Sequence, residues 1–270
     1  MISKASTHLN RYSPFLWGVT GRGSDIQVIP VPSDPSLTIW YDVLSSQVNN
    51  TSVPVTDGTF ITSWADKSAT AHDANTTGNT ANKPKYQLNI QNGKAAIYFD
   101  GVNDTFTVNP ITQLQSVSGY TYFVVCKTNS IAKQQTLSVM KGSGAGDIQE
   151  LFLQFGSTGV VTVGAAGATA TSLTTNTNFH IHTLVFDGSQ TGNANRLKHR
   201  VDGVQQTLTF TGTVGATANA GTTYFYMGTD TANNNDFDGY VTEVIVYTKT
   251  LTQTDIVGVE AYLKNIWGIA

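Results

Sequence analysis

From Leu37 onward, short apolar runs alternate with turns rich in Gly, Asn and Thr. Residues 95–101, 120–128, 148–156, 159–166, 179–188, 196–203, 222–228 and 239–249 have strand length, and many keep the two-residue period of a half-buried sheet. In the last run, Val241, Glu243, Ile245 and Tyr247 are predicted to share one face, and Val244, Val246 and Thr248 the other. Strands at this density, separated by Gly-rich turns, predict an all-β, two-sheet antiparallel sandwich. The period changes once, near the end. Ile256, Val259, Leu263 and Ile266 form a helical stripe within residues 251–268, with Thr252 or Thr254 as N-cap and Gly268 as the stop. This predicts a single C-terminal helix.

Residues 1–36 read differently. They lack sustained alternation and end in prolines at 30, 32 and 35, the composition of an extended segment. The chain therefore divides into an N-terminal arm (1–36) and a sandwich (37–270). The arm carries Phe15, Leu16, Trp17 and Val19 with little polar relief. Such a cluster suits docking, either on the chain's own sandwich or on a neighbour. The beginning of the sequence has no apolar h-region and no small-residue cleavage site, so no signal peptide is expected.

Composition narrows the partners. Charged residues make up 12% of the 270, against about 25% in ordinary soluble domains, and the net charge is −3. No basic patch points to nucleic acid, and no amphipathic or polybasic run points to a membrane. Cys126 is the lone cysteine, so no intrachain disulfide forms, and it reads as a small buried hydrophobe on a strand.

Several pieces then occur in a familiar order: LTIWYD (37–42), ITSWADKSA (61–69), NGKAAIYFDGVND (92–104), HIHTLVFDG (180–188), FDGYVTEVIVYTKTLT (237–252) and VEAYLKNIWGI (259–269). Together they resemble the laminin-G-like, concanavalin A-like lectin/glucanase superfamily, over residues 37–270. The resemblance implies a jelly-roll sandwich of the kind found in phage and bacterial surface proteins. It does not fix the chemistry, because sugar binders, glycosidases and structural modules share such folds.

Chemistry must come from sites. A glycosidase needs two carboxyl groups about 5–10 Å apart. The glucanases of this superfamily imply several acids on one strand, yet the glutamates here are only Glu150, Glu243 and Glu260, none with a second acid at strand spacing. The expectation is therefore no enzyme; a glycoside hydrolase or a lyase is a distant alternative. His180 and His182 share a strand face and offer two imidazoles, but no third metal ligand is evident, and His199 reads as an exposed strand residue. Asp100 and Asp104, with Asp230, Asn234, Asp236 and Asp238, offer the oxygens that calcium takes. Asp-Gly and Asn-Asp are also turn chemistry, and FDG occurs three times, so these read as turns first and a calcium site second. No cofactor is required.

Two functions remain. The first is a non-enzymatic virion component, a phage head-decoration or fibre-type protein at the virion surface. Its arm would join other virion proteins or further copies of itself. The second is a carbohydrate-binding adhesion module for cell-surface glycans, with Trp64, Asp66, His72, Asn75 and Tyr86 as candidate contacts. The family pattern places the tryptophans at positions that look structural.

Overall fold

A computed structural model describes residues 18–20, 27–31, 33–43, 48–49, 55–76, 82–142, 147–173, 175–230 and 235–270. Two antiparallel sheets face each other. In spatial order the first holds β16 (Val204–Gln205), β15 (Leu197–Val201), β14 (His180–Asp187), β9 (Gly119–Thr128), β19 (Asp238–Tyr247), β7 (Lys94–Asp100) and β6 (Lys85–Gln91). Its eighth strand, β3 (Leu37–Asp42), also pairs with β19. The second sheet runs β17 (Thr209–Thr211), β13 (Ala168–Leu173), β12 (Val160–Ala165), β11 (Asp147–Phe155), β10 (Gln135–Gly142), β18 (Thr222–Met227), β8 (Phe106–Val108), β5 (Ala74–Asn75) and β4 (Ser63–Trp64). This is the predicted all-β two-sheet sandwich. Outside it lie a hairpin of β1 (Gly18–Thr20) and β2 (Gln27–Ile29), a single turn α1 (Asn193–Arg196), and the C-terminal helix α2 (Gln253–Trp267). Phe15, Leu16 and Trp17 lie outside the described residues. Val19 lies in β1, and β2 rests against α2.

The core lies between the sheets. Alternate residues of β9 and β14 point inward, among them Tyr122, Val124, Cys126, Leu184 and Phe186, to meet Phe155 and Phe225 of the second sheet. Tyr122 spans the gap, its hydroxyl bonded to Ser138 Oγ at 3.1 Å and its ring set edge-on to Phe225. Each such ring contributes roughly 1.5–3 kcal/mol on burial. Cys126 is buried as expected, and burial pushes its thiol far above the usual range.

Helix α2 starts where its sequence says. Thr252 Oγ1 accepts the Asp255 amide at 3.2 Å, and Gly268 ends the helix in the left-handed region at φ +63°.

The predicted faces of β19 hold only in part. Val241 lies opposite Cys126 and Glu243 opposite Val125, so the register shifts by one at Thr242. This β-bulge puts Val241 on the core side with Val244 and Val246, and puts Tyr240 and Glu243 together on the outer face. The same strand changes partner there: Asp238–Val241 pair with β7, and Glu243–Tyr247 with β3.

The three FDG triplets are not one repeated turn. Gly101 turns at φ +73°, whereas Gly239 is already inside β19, where a Cβ would stand 2.2 Å from the Lys127 carbonyl oxygen.

Candidate functional site

The loop between β4 and β5 does not form the glycan site the sequence suggested. Trp64 is fully buried, packs on Tyr41 and Phe106, and donates its Nε1–H to the Asp42 carbonyl. Tyr86 is 4% exposed and its hydroxyl reaches the Val43 carbonyl. Neither ring offers a face to a ligand. Asp66 is spent on the loop itself, accepting the amides of Trp40, Ser68 and His72 and the hydroxyl of Ser68. His72 gives its carbonyl to Tyr41, and Asn75 bonds the Asp73 carbonyl. These are the contacts of a pinned loop.

Helix α2 covers half of the outer face of the first sheet. Under it, Glu243 accepts three hydrogen bonds: Trp40 Nε1 at 2.9 Å and the Tyr262 hydroxyl at 3.0 Å on Oε1, and Trp267 Nε1 at 2.7 Å on Oε2. Burial pushes its carboxyl up to about 7, even though the three donors pull the other way. Beside it is a cavity of about 270 Å³ that Ile29, Lys67 and Lys94 help to line. Lys67 pairs with Asp42 at 2.5 Å and stands over the Trp40 ring. Further along, Glu260 of α2 takes Arg200 through both carboxylate oxygens and the Thr183 hydroxyl. Glu150 accepts the amides of Ala166 and Asn219. All three glutamates are thus buried and bonded.

The other half of that face is open. Tyr98 and Tyr240 lie with ring centroids 5.1 Å apart, and the Phe179 ring is 6.3 Å from Tyr240. Lys127 Nζ stands 5.3 Å from the Tyr240 ring and 5.9 Å from that of Phe179. The Tyr240 hydroxyl is fixed by Gln87 Oε1 at 3.0 Å. Burial and nearby carboxylates, Asp238 foremost, raise the pKa of Tyr98 and of Tyr240, so both remain phenols. Next to Phe179 a groove of about 440 Å³ is lined by Gln91, Lys127, Asn178, His180 and Asp202, and by Ile269 of the chain's last residues. His180 Nδ1 meets Asp202 Oδ2 at 2.6 Å. Rings beside fixed amide, imidazole and carboxylate groups form a surface that can stack a ligand and hydrogen-bond its rim. Tyr98, Lys127 and Tyr240 each sit at outward positions of recognised strands. Which of them adjoin depends on strand register, which one sequence does not display.

His182 and His199 do not face solvent. Both are buried between the sheets, stacked at 7° with Nδ1 of His182 3.1 Å from Nε2 of His199, while Ser172 Oγ holds the other His199 nitrogen. Burial lowers both, His199 to about 3. His199 is therefore a core residue, not the exposed one its sequence suggested.

The candidate calcium loops do meet. Asp104 Oδ2 accepts the Asp100 amide, and burial together with the charges of Asp100 and Asp236 pushes Asp104 up to about 6. Asp230 accepts from Asn235, and Asp238 from Asn129. The buried oxygens Asn103 Oδ1 and Asp236 Oδ1 have no partner. Asn234 lies outside the described residues. Among the described residues, no three His, Cys, Asp or Glu side chains form a group that could hold a metal ion.

Among the described residues no helix is long and apolar enough to cross a membrane. No protein-family model matches the chain, and no curated protein matches it. Solved structures do match. Trypanosoma rangeli sialidase in complex with sialic acid superposes at a TM-score of 0.59 with 15% identity, covering 88% of this chain and 34% of the sialidase. The same sialidase bound to 2,3-difluorosialic acid gives 0.60 and 16%, covering 87% and 34%. The chain thus spans about a third of the sialidase chains it matches. At such identity the likeness shows the fold, and the sandwich is what is shared. Against the expectations of a phage virion component and of a non-enzymatic chain, the two structures matched here are sialidases.

Proposed function

We propose that the chain is a carbohydrate-binding sandwich of the concanavalin A-like, laminin-G-like type, and that it takes its glycan on the open half of the outer sheet face. The observation that carries this reading is the adjoining pair of part-exposed rings Tyr98 and Tyr240, fixed on strands against the buried Phe179 ring and beside a polar groove. Sheet-borne rings hold their geometry better than loop-borne ones, and pockets for small polar ligands pair apolar walls with a few placed polar groups. The likeness to a third of a sialidase chain supports a role as the glycan-recognising part of a glycoside-hydrolysing protein. Screening the chain on a glycan array, and then Tyr98→Ala and Tyr240→Ala by calorimetry, tests it. Each variant is expected to lose about tenfold or more in affinity while melting normally. Binding unchanged in both variants would move the site elsewhere.

Calcium on the Asp100–Asp104 and Asp230–Asp238 loops is a second reading, favoured by the two unpaired buried oxygens. The residues that would hold it are Asn103, Asp104 and Asp236. Millimolar calcium should then raise the melting temperature and Asp236→Asn should abolish the rise. An unchanged melt would dismiss it.

A further inference from the structure

The open half-face is ordered across the strands. Register sets Phe60 opposite Lys85, Lys85 opposite Tyr98, Tyr98 opposite Tyr240, and Tyr240 opposite Lys127. His180 lies opposite Cys126, so the same register brings Phe179 beside Lys127. Directly opposed residues share a sheet face. The six side chains therefore form one row at right angles to the strands, reading ring, cation, ring, ring, cation, ring. With strands about 4.8 Å apart, the row is roughly 24 Å long.

Neither lysine makes a direct ion pair, although the charge of Lys85 reaches the Asp104 carboxylate. The ion pairs among the described residues use Lys67, His180, Arg200 and Lys249. Lys127 Nζ stands against Tyr240 and Phe179, and Lys85 Nζ stands 5.0 Å from the Phe60 ring. A ring face steadies an ammonium without cancelling its charge. One pleat further along the same face, Asp100 and Asp238 oppose each other. They repel anions on that side and leave the Gln87 side open to them.

We infer that this row binds an extended acidic glycan laid across the strands, its carboxylate or sulfate groups on Lys85 and Lys127 and its apolar sugar faces on the rings of Phe60, Tyr98 and Tyr240, with the buried Phe179 ring backing Lys127. This rests on the glycan-binding reading and adds the ligand's charge, length and direction. The lysines are three strand spacings apart, roughly 14 Å. A single sugar meets one of them; a chain of several meets both. The net charge of −3 favours a glycan over a nucleic acid, which wants a basic surface.

The test is calorimetry of the full chain against acidic hexasaccharides (oligogalacturonate, oligosialate and a heparin-derived fragment), fully methyl-esterified oligogalacturonate, and a single-stranded hexanucleotide. At least one acidic hexasaccharide should bind, and the carboxylate and sulfate members identify the source of the charge. Lys85→Gln and Lys127→Gln should each weaken that binding about tenfold, with melting curves unchanged, and salt should weaken it too. The matching acidic monosaccharide, titrated alongside, should bind far more weakly and respond only to one of the two substitutions. Equal binding of the methyl ester, or of any neutral array glycan through Tyr98 and Tyr240, would overturn the acidic inference and leave the glycan reading standing. Loss of all saccharide binding would overturn both. Tighter binding of the hexanucleotide would assign the row to nucleic acid.

Discussion

Glu243 is a carboxylate built into a set of donors. Two indole N–H groups and one phenol converge on its two oxygens, and an ionised carboxylate, which only accepts, satisfies all three. A carboxamide has one acceptor oxygen and would turn an NH2 toward one of these donors. Glu243→Gln is therefore expected to cost roughly 1–3 kcal/mol in urea unfolding; a loss below about 0.5 kcal/mol would mean the donors find other partners. None of this is legible from "VTEVIVYT", where a glutamate between valines reads only as a strand residue. Trp64 shows the converse. An aromatic beside an acid and a histidine resembles a sugar platform, yet the Asp42 carbonyl and two neighbouring rings claim it from strands far away in sequence.

Among the elements, α2 was the most legible, because its stripe, its cap and its stop all lie within eighteen consecutive residues. Its start depends on Thr252, so Thr252→Ala should cost about 1 kcal/mol, within a usual range of about 0.5–2, with the sheets intact by circular dichroism. A neutral result would mean that packing against β2 and the sheet seats the helix without its cap. β19 was legible as a strand but not in its facing. A bulge is set by how neighbouring strands pair, and Thr242 carries no mark of it in sequence.

For the whole molecule, buried ionisable groups pull stability in opposite directions with pH. His199 falls from 6.5 to about 3 on folding and His182 also falls, so their contribution is present above pH 6.5 and is lost as the pH falls toward 3. Glu243 rises from 4.5 to about 7 and Asp104 from 3.8 to about 6, so theirs is present in acid and is lost as the pH climbs through 4 to 7. The two trends offset each other, and the melting temperature should vary little between pH 4 and 6.5. A His182→Gln/His199→Gln variant should instead fall steadily over that range; a profile parallel to the wild type would refute the assignment. The sandwich itself was readable from strand count and turn chemistry. The proposed ligand face was not, because Phe60, Lys85, Tyr98, Lys127, Phe179 and Tyr240 become neighbours only through pairing register.

The extra residue at Thr242 gives β19 two reading frames. Counted from Tyr240, alternate positions face the open half of the sheet; counted from Glu243, the other parity faces the helix. A gapless alignment of this strand with one that lacks the extra residue exchanges inside for outside over half its length. A hydrophobic profile averaged over strands with and without the extra residue would blur along that half, although a bulge changes the backbone path only locally.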